Sequence, residues 1–223
     1  MRCRIVVVLV VMVFAVRVGS AGKYVFSVAG EQVRLNNKPF KVLGLRCSNA
    51  LISDVTTQQL IEHLEVYRGY GINTISVFFM GSRFGDVKGY GVDGSLNPVH
   101  ASRMGSIIEA ADRLGMVVLV GCLYWSTSRA KEDLVDVWGQ DEANRAVANT
   151  VRWLKKHDYR NVFVDVDNEG MAHKQMGWSI GEMIQAAHAV DPSIMVAYND
   201  KDPAPSNADL YIHHSPKVKG KPW

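Results

Sequence analysis

The sequence predicts an α/β fold, namely a TIM (β/α)8-type barrel left incomplete, with about six βα units preceded by a small N-terminal β-hairpin. Short valine- and isoleucine-rich runs alternate with amphipathic segments at intervals of roughly 30 to 45 residues, the pattern of right-handed βαβ units and a parallel sheet. The turn after the first such run, Gly44-Leu45-Arg46-Cys47-Ser48-Asn49, lacks the GxGxxG of a dinucleotide-binding sheet, and no P-loop follows any strand. Polar residues gather at the carboxyl end of the fourth run, where a barrel carries its functional groups.

In chain order, Tyr24 to Val28 and Gln32 to Leu35 flank Ala29-Gly30-Glu31 as a hairpin. Asn36-Asn37-Lys38-Pro39 then turns the chain into a first barrel strand, Phe40 to Leu45. Thr56 and Gln59 have capping-box spacing, and Leu60, Ile61, Leu64 and Tyr67 share one helical face until Gly69 and Gly71 end it. Asn73 to Phe79 is the second strand. After a long polar loop, Asn97-Pro98 opens a helix with Met104, Ile107, Ile108, Ala111 and Leu114 facing inward. Met116 to Gly121 is the third strand, and a helix from about Asp141 to His157 precedes the fourth, Val162 to Asp167. A helix near Ser179 to Val190 stops at Asp191-Pro192, and strands five and six are Ile194 to Tyr198 and Asp209 to His213.

Residues 1–21 read as a signal peptide: Arg2 and Arg4 form a basic head, Ile5 to Val16 an apolar run and Gly19-Ser20-Ala21 a small-residue cleavage site. Arg17 interrupts the run short of the roughly 20 apolar residues that a membrane span needs. Residues 22–223 are then one barrel domain, exported to a secreted or periplasmic location. The leader carries three of the 25 basic residues and no acid, so 22 basic and 22 acidic residues remain. A neutral chain has no basic surplus for nucleic acid or anionic lipid. Cys47 and Cys122 each follow or end a predicted strand without CxxC spacing, and read as free, half-buried thiols or as one bridge.

The segment VFVDVDNEG carries the chemistry. Strand alternation places Asp165, Asp167 and Glu169 on one face, for as long as strand geometry persists. Carboxylates inside a barrel are costly unless paired or functional.

Here the sequence resembles the glycoside hydrolases of clan A, and most closely the cellulase-like family 5. Asn168-Glu169 matches the Asn-Glu pair at the end of that family's fourth strand, and Asp165 matches the inward acid four residues before the Glu. VRLNNKPFKVLGL, YGINTISVF and DGSLNPVHASRMGSIIEAADRLGMVVLV are similar to the family's opening, second strand and third βα approach, so the likeness spans about residues 24 to 214. The resemblance implies cleavage of O-glycosidic bonds in a poly- or oligosaccharide by a retaining mechanism, without metal or organic cofactor. It makes Glu169 the acid/base and Asn168 the amide that hydrogen-bonds the sugar 2-hydroxyl. A glycosidic oxygen leaves poorly unless protonated, and a glutamate in a partly dehydrated barrel mouth can give that proton and then activate water.

Further substrate-binding candidates are Tyr124 and Trp125, which end the third strand and could stack on a sugar or be buried structural aromatics, and His213 and His214, which end the sixth. The family's His-x-Tyr pair is only half present there, because Ser215-Pro216 follows. No His-x-x-x-His helix or carboxylate spacing supports a zinc site at these histidines. The family's second-strand arginine is replaced by Ser76; Arg83 or Arg46, in loops at the same mouth, either supply the positive charge instead or are solvated loop arginines, the more common case. Asn199 and Asp200 either line the cleft or begin a turn.

A retaining enzyme needs a second carboxylate roughly 5 to 5.5 Å from the first. The family places it on the seventh strand. Lys219-Gly220-Lys221-Pro222-Trp223 is similar to the segment that introduces that strand, so the expectation is a fragment without its nucleophile, whose open edges would tend to self-associate. A non-catalytic sugar-binding relative is the alternative. A barrel enzyme acting on phosphorylated or carbonyl substrates lacks the expected lysine and glycine-rich phosphate loop.

Overall fold

The computed structural model describes residues 22–82, 85–125 and 131–223. The expected leader, residues 1–21, lies outside the described residues. No described helix is long and apolar enough to cross a membrane.

The chain begins with a three-stranded antiparallel sheet of β1 (Phe26–Ala29), β2 (Gln32–Leu35) and β3 (Lys38–Pro39). Asn36 and Asn37, at φ 49° and 63°, link β2 to β3 in a two-residue turn whose left-handed conformation asparagine tolerates well. The first barrel strand, β4 (Gly44–Arg46), is shorter and later than the expected Phe40 to Leu45. The reason is the Asn73 side chain, which accepts from the Leu43 N–H at 2.9 Å and donates to the Lys41 carbonyl at 2.7 Å. The parallel ladder therefore starts only at Gly44, and Leu43 is left exposed.

Helix α1 (Asp54–Gly69) starts before the expected capping box, because Ser53 and Thr56 form the reciprocal box. Strand β5 (Thr74–Phe78) is followed by a feature absent from the sequence reading, a short hairpin of β6 (Met80–Ser82) and β7 (Gly85–Lys88) inside the supposed loop. Helix α2 (Pro98–Arg113) is capped by Asn97, as its Asn-Pro start predicts. Then come β8 (Val117–Leu123), α3 (Gln140–Lys156), β9 (Val162–Asp167), a short helix α4 (Met171–Met176), α5 (Ile180–Val190) capped by Ser179, β10 (Val196–Tyr198) and β11 (Leu210–Tyr211).

The six barrel strands pair in parallel in the order β11-β10-β9-β8-β5-β4, which is chain order. Each unit thus lays its strand beside the last, the winding of a barrel, and β4 and β11 remain as edges. This is the incomplete α/β barrel that the strand–helix alternation predicts.

Alternation along each strand divides the side chains between two cores. Outward, Val118, Val120, Val164 and Val166 pack under Leu64 of α1, Ile107 of α2, Val147 of α3 and Ile184 of α5. Inward, Val117, Leu119, Phe163 and Leu210 meet the N-terminal sheet, whose Phe26 ring stacks on Phe163 with centroids 4.7 Å apart. Gly121 has no side chain for a packing reason: a Cβ there would run into the Phe78 ring.

Cys47 and Cys122, the two cysteines among the described residues, are free thiols. Burial pushes Cys122 up to about 12 and Cys47 up to about 11, so neither is a thiolate near neutrality.

Candidate active site

Strand β9 ends at Asp167, and Asn168–Gly170 form a single tight turn in which Glu169 adopts φ 57° and ψ 22°. Its cause is the Asp167 carboxylate, which accepts from the backbone N–H of Ala172 at 3.0 Å and of His173 at 2.9 Å, and pairs with His173 Nδ1 at 2.8 Å. Asp167 therefore anchors the start of α4. The expected column of Asp165, Asp167 and Glu169 holds for Asp165 alone. Gly170, at φ 66°, continues the turn, and a Cβ there would collide with the Asp200 carboxylate.

The turn delivers Asn168 and Glu169 to Arg46, at the end of β4. Arg46 Nη1 lies 3.3 Å from Glu169 Oε1 and donates to the Tyr124 hydroxyl at 3.1 Å, while Nη2 donates to Asn168 Oδ1 at 2.9 Å. The guanidinium also lies 5.7 Å from the Phe78 ring centre and 5.4 Å from that of Tyr124. Arg46 pairs in register with Ser76. Of the two arginines that the sequence offered for this mouth, Arg46 is the one the described residues place at Asn168 and Glu169, beside a serine small enough to leave room.

Below this pair, Asn199 Nδ2 donates to Asp165 Oδ2 at 2.9 Å and reaches Asn168 Oδ1 at 3.3 Å. Burial pushes the Asp165 carboxyl up to about 7; the Asn199 hydrogen bond pulls it down and the Asp167 charge raises it. Asn168 is fully buried, and its Nδ2 has no hydrogen-bond partner among the described residues. Asp200 faces away from Glu169 toward α4, paired with Lys174 and lying 3.6 Å from His173 Nε2.

His214 Nε2 lies 3.8 Å from Glu169 Oε2, and the His213 and His214 rings meet edge-on with centroids 4.0 Å apart. His213 follows β11 at φ 56° rather than ending it, so both histidines reach the mouth instead of alternating across the sheet. Burial holds the His213 imidazole below its usual value, helped by the charges of His214 and Arg46 and opposed by Glu169.

The structure therefore brings Glu169, Asn168, Asp165, Tyr124, His213 and His214 together around Arg46. Tyr124 is 8% exposed, so it holds Arg46 rather than offering a sugar its ring face. Trp125 does not belong to the group: it is 2% exposed and packs on the outer side against Trp178, 5.5 Å away, and Trp138, 6.2 Å away. Arg83 lies outside the described residues. Arg46 and Asn199, which the sequence offered only as options, are the two residues that tie the site together; their positions just past strand ends were the available signal. Beside the site, a cavity of about 920 Å³ runs between the inner face of the sheet and the N-terminal strands; Arg46, Asp165, Asn199 and His213 share its wall with Val33, Phe40 and Trp223, while Glu169 does not line it.

No family model matches the chain, and no curated protein sequence does. Solved structures do. A glycoside hydrolase family 5 protein from Bacteroides vulgatus superimposes with TM-score 0.62 at 13% identity, covering 85% of this chain and 44% of that one. A β-1,4-D-mannanase from Cryptopygus antarcticus gives 0.56 at 13% identity, covering 78% and 60%. An endocellulase from Pyrococcus horikoshii, in complex with cellotetraose, gives 0.53 at 16% identity, covering 78% and 56%. At these identities the likeness establishes the fold, a (β/α)-barrel, and the chain spans about two fifths to three fifths of the structures it matches.

Proposed function

We propose that this chain carries the acid/base half of a retaining glycoside hydrolase acting on a poly- or oligosaccharide, with Glu169 as the acid/base. The observation that carries the reading is the setting of Glu169: a carboxylate 26% exposed, at the carboxyl end of a central barrel strand, with one oxygen on Arg46 and the other toward His214. A proton donor must be accessible to the glycosidic oxygen yet held in one orientation, and this geometry meets both demands.

Arg46 holds the carboxylate in one orientation. Asn168 Nδ2, buried and without a hydrogen-bond partner among the described residues, is a donor of the kind an ordered water satisfies. Asp165 acts from beneath, through Asn199, on Asn168. The second carboxylate is not supplied by Asp167 or Asp200, both of which are engaged with α4. The reading therefore assigns the nucleophile to a segment outside this sequence that completes the barrel. Export through residues 1–21 belongs to the same proposal, since polysaccharide substrates are extracellular.

The test uses sugar binding and turnover together. Cello- and manno-oligosaccharides titrated into the chain should perturb its NMR spectrum at Tyr124 and His213, and Glu169→Gln should retain that binding. Aryl β-glycosides should not be turned over by the 223-residue chain. A protein containing this sequence with a completed barrel should turn them over, and Glu169→Gln there should cost on the order of 100-fold or more. Absence of sugar binding, or turnover that survives Glu169→Gln, overturns the reading. Turnover by the 223-residue chain itself, lost in Glu169→Gln, keeps the acid/base and refutes the external nucleophile.

A further inference from the structure

We infer that Glu169, His213 and His214 form a binding site for a divalent transition-metal ion of the zinc class. One ligand atom from each of the three lies within 4.8 Å of the other two. The spacing along the chain gave no hint of this, because metal motifs are read within one helix or loop, whereas these donors come from the ends of two strands separated by β10.

Two imidazoles and one carboxylate suit zinc, copper, nickel or cobalt, whereas magnesium and calcium prefer all-oxygen shells. Three protein ligands with the fourth position open is the arrangement of an accessible zinc site. Tetrahedral bonds of about 2.05 Å put ligand atoms roughly 3.4 Å apart. His214 Nε2 and Glu169 Oε2 are already 3.8 Å apart, and the His214 side chain, 54% exposed, has rotamer freedom to close the remainder. The two carboxylate oxygens divide the work. Oε1 is held by Arg46, while Oε2 is the one presented to His214, so an ion bound there does not displace the guanidinium.

Binding does not depend on the glycosidase reading. If that reading holds, the ion occupies the oxygen needed for proton transfer, and metal and turnover exclude one another.

The experiment is calorimetric titration of the full chain with zinc chloride, with magnesium chloride as the control. One equivalent of zinc should bind and magnesium should not. His214→Ala and Glu169→Gln should each weaken zinc at least about tenfold, with unchanged far-UV circular dichroism. His63→Ala, on the exposed side of α1, should leave it unaltered. His213 sits at a positive φ, so His214→Ala and Glu169→Gln carry the test whether or not His213→Ala folds. Equal zinc affinity in wild type, His214→Ala and Glu169→Gln, or no binding at one equivalent, overturns the site. The readout needs neither sugar nor turnover, so its failure is distinct from failure of the glycosidase proposal.

Discussion

On its outer face the parallel sheet buries Val118, Val120, Val164 and Val166 completely, or nearly so, beneath helices. Its inner face sets Leu119 and Phe163 beside Ser76, Asp165 and Asn199 around a cavity of about 920 Å³. One face is a finished core; the other is a half-filled lumen that carries the chemistry. The contrast shows that a βα unit closes its own outer layer locally, helix upon strand, whereas a barrel interior is filled only by strands from around the whole circle.

This contrast can be broken by mutation. The largest loss belongs to the outer face: Ile107→Ala, at a site with no accessible surface, should cost about 3 to 4 kcal/mol in urea unfolding. A cost below about 1 kcal/mol would mean that the outer core is loosely packed.

Next is Asp165→Asn on the inner face, with the opposite sign. The Asp165 carboxyl sits at about 7 in the fold and near 3.9 when unfolded. Between those values the folded state holds a proton that the unfolded chain has released, so stability falls as pH rises through that window. Near pH 8 the substitution should therefore stabilise the protein by on the order of 4 kcal/mol, and near pH 4 by almost nothing. Thermal unfolding across that range checks it, and a pH-independent difference would remove the charge from the explanation.

Gly170→Ala sharpens the comparison at the rim. A Cβ at φ 66° is strained and meets the Asp200 carboxylate, so a loss of about 2 kcal/mol is expected, together with weaker oligosaccharide binding as Glu169 shifts. Loss of stability with intact sugar binding would separate the turn from the site. The smallest effect is Val33→Ala, half-buried where the N-terminal sheet faces the lumen, at under about 1 kcal/mol in the same urea assay. A cost equal to that of Ile107→Ala would mean that the inner face is as tightly packed as the outer.

Much of the fold was legible because it rests on local periodicity. Val162 to Asp167 was read as the fourth strand and is β9 to the residue, Asn97-Pro98 announced α2, and the helix read near Ser179 to Val190 is α5. Where strand and loop depend on distant partners, legibility ended. Asn73 shortens β4 from 30 residues away, and the β6–β7 hairpin pairs with no periodic signal in its sequence.

The site divides in the same way. Asn168-Glu169 at a strand end, with Asp165 below, was determined by sequence alone, because strand position and residue type are local properties. Tertiary structure decided the rest. Arg46 meets Asn168 and Glu169 across 122 and 123 residues, His214 comes to Glu169 from two strands away, Trp125 turns into an aromatic cluster, and Asp167 leaves the carboxylate column to anchor α4. The physical reason is that alternation tells which face a side chain leaves by only while the strand lasts. Beyond Asp167 and Tyr211, backbone turns and long-range hydrogen bonds choose the direction instead.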